Sequence, residues 1–235
     1  MQKTFADEQQ NWHRRILALS WPVILSNLSI PLVGLVDVAI LGQLSNPGYI
    51  GAITVGTAVF SAIYWLFGFL RMGTTGLVAQ AYGAKKDNEV KLTYARALLI
   101  ATLLGISLVL IQKPLEHLLF SLFDASNDVE QMAKEYFSIR IFSAPAVLIT
   151  LASVGVLFGL QKMKTTLFLT IFLNLSNLSL DVLLVLVFDL GVQGVAIGTL
   201  ISEWVSAALG VSLVAYQINR SNPFKFSKED LFQKK

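Results

Sequence analysis

The stretch from Thr165 to Phe188, TTLFLTIFLNLSNLSLDVLLVLVF, carries a single ionisable residue, Asp181. A helix rising ~1.5 Å per residue over such a run crosses the ~30 Å of hydrocarbon in a bilayer. Comparable apolar runs lie on either side of it, from Ile16 to Leu41, Ile50 to Leu70, Tyr94 to Ile111, Ile141 to Leu160 and Gly194 to Tyr216. Open sheet edges do not survive in lipid, and a transmembrane barrel shows short alternating segments instead of continuous apolar runs. The expected fold is therefore all-α, a polytopic membrane protein built as a bundle of six transmembrane helices.

Composition leads to the same place. The 235 residues are 54% hydrophobic and only 14% charged, with a mean hydropathy of +0.64, whereas a soluble domain carries roughly 25% charged residues. Membrane lipid is thus an expected partner. The absence of cysteine removes disulfides, thiolate metal sites and cysteine nucleophiles. The first run is too long for a signal-peptide core and leads to no small-residue cleavage pattern, so it reads as a retained span.

The net charge of +3 and pI near 9.1 could suggest nucleic acid. Of the 18 basic residues, however, only Lys113, Lys134 and Arg140 fall on one side of the alternating runs, and the other fifteen fall on the opposite side. Basic residues mark cytoplasmic loops. Both termini are expected in the cytoplasm of a bacterial inner-membrane protein, with no nucleic-acid partner.

Between the runs, the segment 72–93 reads as cytosolic, with a short interfacial helix before the turn at Tyr82 to Asn88. The outward segment 114–135 carries Glu116, Asp124, Asp128, Glu130 and Glu135, and Ser126-Asn127-Asp128 suggests a helix cap. Gly51 to Thr57 faintly echoes Gly194 to Thr199, which small-residue helix packing explains without duplication. Residues 1–220 form the predicted bundle and 221–235 a polar cytosolic tail.

Three carboxylates fall within the runs: Asp37, Asp181 and Glu203. An ionised side chain at mid-bilayer costs ~2.5 to 3.5 kcal/mol, so such groups face protein or water and often mark an ion or substrate path. Asp37 is such a group, or a residue snorkelling outward. Asn174, Asn177 and Asp181 recur at i, i+3 and i+7, on one helical stripe. Turned inward, that stripe offers hard oxygen ligands for a proton, hydronium or Na+. Its asparagines could equally serve only as interhelical hydrogen-bonding groups. Thr199 and Glu203 share a face of the sixth run, where Glu203 is open to the same two readings.

Pro22 and Pro31 interrupt the first run and Pro145 opens the fourth. Each removes a backbone donor and is a candidate hinge or a static kink. Arg71, Arg96 and Arg140, near the ends of runs, are accounted for by snorkelling. No HExxH, GxSxG or GxxxxGK occurs, and Asp181 lacks the preceding glycine of intramembrane aspartyl proteases. An enzyme is not expected, nor any cofactor or resident metal beyond a possible Na+.

Several stretches together resemble the N-terminal half of a multidrug and toxic compound extrusion (MATE) transporter: Leu35 to Gly42, Arg71 to Ala84, Asn174 to Asp181 and Gly191 to Thr199, in the family's order. The resemblance implies a secondary antiporter that exports cationic or amphipathic compounds in exchange for H+ or Na+, by alternating access between two six-helix lobes. It implies that Asp37, Asn177, Asp181 and Thr199 line a cation or proton site, with Na+ placed at Asp37, Asn177 and Asp181. Such transporters have about twice this length, so the missing second lobe, or a like copy, is an expected partner. A truncated or split reading frame is the favoured explanation, ahead of an excised lobe or a half-unit. The rival functions are a lipid-linked precursor flippase of the same superfamily and a nonfunctional lobe or membrane scaffold.

Overall fold

The computed structural model describes residues 16–28, 40, 42, 48–122 and 126–219. They form nine α-helices: α1 Ile16–Leu28, α2 Gly48–Leu66, α3 Gly68–Gly83, α4 Asp87–Leu110, α5 Gln112–Phe120, α6 Asn127–Arg140, α7 Ala144–Gly159, α8 Met163–Asp181 and α9 Gly191–Asn219. A 3-10 turn, Ile141–Ser143, joins α6 to α7, and a π-helical turn, Val182–Val187, extends α8. No strand occurs among the described residues.

Five helical stretches are long and apolar enough to cross a membrane: Gly48–Gly83, Asp87–Leu110, Asn127–Gly159, Met163–Val187 and Gly191–Asn219. The first expected span, Ile16 to Leu41, is represented by the shorter apolar helix α1, and its remainder, Ile40 apart, lies outside the described residues. Large side chains stand outward along the helices, including Trp65, Met72, Leu103 and Leu110, as they do when the solvent is oil.

Helix borders depart from the apolar runs in two places. The second helical stretch does not stop at Leu70. It runs on to Gly83, and only the turn Ala84–Lys86 precedes α4. The expected interfacial helix is thus the continuation of the second span. Its glycines are tolerated because α3 is held against α7: a Cβ on Gly155 would strike the Arg71 carbonyl, and one on Gly159 would strike Val78. The segment 114–135, expected to face outward, is largely helical, contributing most of α5 and the first part of α6. Ser126 precedes α6 as foreseen, but its side chain makes no capping hydrogen bond.

Close packing runs through small residues, as expected where lipid removes the hydrophobic drive between helices. A Cβ on Gly56 would collide with the Tyr136 ring, and one on Gly105 with the backbone of Pro145. Pro145 sits in the first turn of α7, where a missing N–H costs nothing. It is a packing point between α4 and α7. Pro22 lies buried within α1, and Pro31 lies outside the described residues. One apolar cluster centres on Phe60 and Phe137, stacked with ring centroids 5.2 Å apart. A second joins Val78, Val90, Leu157 and Val214 at the end of the bundle where α3 turns into α4.

Candidate functional site

The polar stripe of α8 meets the small-residue face of α9. Helix α9 opens Gly191-Val192-Gln193-Gly194-Val195-Ala196-Ile197-Gly198-Thr199, which lets α8 approach closely. Asn177 donates from Nδ2 to the Thr199 hydroxyl at 3.2 Å, and Thr199 in turn donates to the Val195 carbonyl at 2.9 Å. The hydroxyl is thereby fixed with its oxygen aimed at α8.

Asp181 closes α8, 1% exposed. Its Oδ1 occupies the space that a side chain at position 198 would fill. Gly198 therefore makes room for the carboxylate against the α9 backbone. Directly after Asp181 the chain takes the π-helical turn Val182–Val187. Such turns widen the helix and recur at functional sites.

Three of the residues expected in the site are thus brought together: Asn177, Asp181 and Thr199. Asn174 lies one turn earlier on α8 and is half-buried. Asp37 lies outside the described residues. Glu203, one turn beyond Thr199 and half-buried, faces a different neighbour, lying within electrostatic range of Arg140. A carboxylate, a carboxamide and a hydroxyl within an apolar bundle make an oxygen-rich site suited to a small hard cation or a proton.

Beside this site runs an open groove of about 500 Å³, lined by Phe168, Phe172, Leu175, Leu180, Ser202 and Val205 among others. Its walls are apolar and aromatic with a few hydroxyls. Leu180 and Ser202 belong to both neighbourhoods, since Leu180 adjoins Asp181 and the Ser202 hydroxyl donates to the Thr199 carbonyl at 2.9 Å. On the other side of α8, Ser26 of α1 donates to the Thr170 hydroxyl at 2.8 Å.

Arg140 is the last residue of α6, inside the continuous helical stretch Asn127–Gly159, and its side chain lies against neighbouring aromatic rings. Its guanidinium stands 4.7 Å from the Phe60 ring centroid and 5.4 Å from that of Tyr136, and donates to the Tyr136 hydroxyl at 2.8 Å. The apolar run begins only after Arg140, because the helix before it carries Asp128, Glu130, Lys134 and Glu135. The available signal was the Tyr136/Arg140 spacing of i, i+4.

Comparison with known proteins follows the same architecture. The MatE family profile matches residues 22–183. The chain is 38% identical over 203 residues to DNA damage-inducible protein F of Escherichia coli K12, covering 86% of this chain and 43% of that protein. It is 24% identical to the multidrug export protein MepA of Staphylococcus aureus, covering 94% of this chain and 50% of MepA. A solved MOP superfamily transporter from Pyrococcus furiosus superposes with a TM-score of 0.81 at 22% identity, over 93% of this chain and 48% of that one. The chain thus spans about half the length of the proteins it resembles.

Proposed function

Because this multi-pass inner-membrane chain belongs to the MatE family, we propose that it forms the ion-coupling lobe of a secondary antiporter. Cationic or amphipathic compounds are exported in exchange for H+ or Na+, with no covalent chemistry. The observation that carries this reading is the meeting of Asn177, Thr199 and the buried Asp181 at the α8–α9 contact, beside an apolar groove.

The coupling ion occupies the Asp181 carboxylate, with the Thr199 hydroxyl and the Asn177 carboxamide as neighbouring oxygens. Asp37, carried on the first span, supplies a second carboxylate. The amphipathic substrate lies along the groove lined by Phe168, Phe172 and Val205, so that ion and substrate compete for one neighbourhood. Both termini are cytoplasmic, and a second six-helix lobe, or a like copy of this one, completes the alternating-access pathway.

The test is drug resistance and dye efflux in cells lacking their own exporters, with the second lobe supplied in trans. Asp181→Asn should abolish efflux of a cationic dye while the protein remains inserted at wild-type level. Efflux retained by that variant would overturn the role given to Asp181.

A further inference from the structure

The two ends of the bundle treat their basic side chains differently. At the end that carries α5 and the start of α6, Lys113 pairs with Glu116 and Lys134 with Glu130. At the opposite end, Lys85 and Lys86 of the α3–α4 turn and Lys162 and Lys164 of the α7–α8 turn are all exposed. None of these four makes an ion pair with any described residue. A preference for basic residues on one side of a bilayer accounts for their number but not for their placement.

That placement is fixed by two turns of one design. Lys85 and Gln161 occupy the left-handed region, at φ 57° and 59°. In the first turn the Lys85 N–H donates to the Tyr82 carbonyl at 3.0 Å and the Lys86 N–H to that of Ala81 at 2.9 Å. In the second, Gln161 donates to Phe158 at 2.9 Å and Lys162 to Leu157 at 2.8 Å. A non-glycine residue keeps this conformation only where its surroundings hold it. Each turn therefore ends on a lysine at a set position, Lys86 before α4 and Lys162 before α8. Packing sets the turns side by side: a Cβ on Gly159 would strike Val78, and Leu160 borders one notch with Tyr82, Asp87 and Gln217. Asp87 and Glu89 lie half-buried in the first turn of α4, whereas α8 opens with no acidic residue and no side-chain cap. The positive end of the α8 dipole thus adds to the charge of Lys162 and Lys164.

We propose that this face binds the headgroup of an anionic phospholipid with two phosphates, cardiolipin. Lys85 and Lys86 hold one phosphate, and Lys162 and Lys164 at the start of α8 hold the other. Charge complementarity selects the occupant, since lysines at the ends of spans attract anionic headgroups and gain nothing from neutral lipid. Two lysine pairs on two neighbouring turns match two phosphates joined by a short linker better than they match one. Tyr82 and Leu77 of α3 stand exposed where the acyl chains run.

The test titrates the complete 235-residue chain, in a neutral detergent, with cardiolipin, phosphatidylglycerol or phosphatidylcholine, and counts bound lipids by native mass spectrometry. One cardiolipin should bind about tenfold or more tightly than phosphatidylglycerol and raise the melting temperature. Phosphatidylcholine should do neither. Lys85→Gln with Lys86→Gln, or Lys162→Gln with Lys164→Gln, should each bring cardiolipin down to the phosphatidylglycerol level. The melting temperature without added lipid should stay unchanged in both, because the altered side chains are exposed. Lys113→Gln with Lys134→Gln removes the same charge from the other end and should leave cardiolipin binding as it was. Lys86→Arg with Lys162→Arg should retain it. The proposal is overturned if the wild type binds cardiolipin no better than phosphatidylglycerol, if neither inner lysine pair matters, or if the outer pair matters as much.

Discussion

The Asn177 carboxamide donates to the Thr199 hydroxyl at 3.2 Å, joining α8 to α9 one turn from the buried Asp181. The contact holds the hydroxyl oxygen toward α8, because its own proton is already given to the Val195 carbonyl. Thr199→Val keeps the shape and removes both bonds. We expect it to insert normally and lose about 1 kcal/mol of stability. Ion-dependent changes in tryptophan fluorescence should fall at least tenfold in apparent affinity. Thr199→Ser, which keeps the hydroxyl, should retain them.

Gly198→Ala tests the carboxylate more directly. In a helix interior this change ordinarily stabilises by about 1 kcal/mol. Here the new Cβ would fall on Asp181 Oδ1. The clash is with the end of a side chain, so the backbone can stay and the carboxylate must move. The expected outcome is a protein with wild-type thermal stability or better and with ion coupling lost. Unaltered ion-driven efflux would show that the placement of Asp181 against Gly198 is immaterial.

Gly105→Ala separates packing from coupling. Its Cβ would meet the Pro145 backbone, which has no side-chain freedom with which to yield. Forcing α4 away from α7 should cost about 1–3 kcal/mol, seen as a lowered melting temperature in detergent. Ion affinity per folded molecule should be unchanged, since Gly105 lies on neither α8 nor α9.

Much of the site was legible from spacing. Asn177 and Asp181 stand four residues apart, and a helix places such residues on one stripe whatever surrounds it. Thr199 could be placed on a face of its own helix, but not opposite Asn177, because the register between two helices depends on both surfaces at once. Gly198 shows why. Its lack of a side chain looks like general close packing until the position of Asp181 Oδ1 is known. The second apolar run was cut short at Leu70 because Arg71 and the glycines after it end the hydropathy signal. The helix continues because Gly155 and Gly159 of α7 receive it.

Sequence alone determined the solvent, the helical class and the stripe of oxygen-bearing side chains, since each follows from local composition and from a helical period that neighbours do not alter. Tertiary structure decided which polar groups face one another. It set Thr199 against Asn177, and it laid the Arg140 guanidinium of α6 over the Phe60 ring of α2. The physical reason is that a charge in oil must find its stabilising contacts on other helices, and those contacts exist only once the helices have packed.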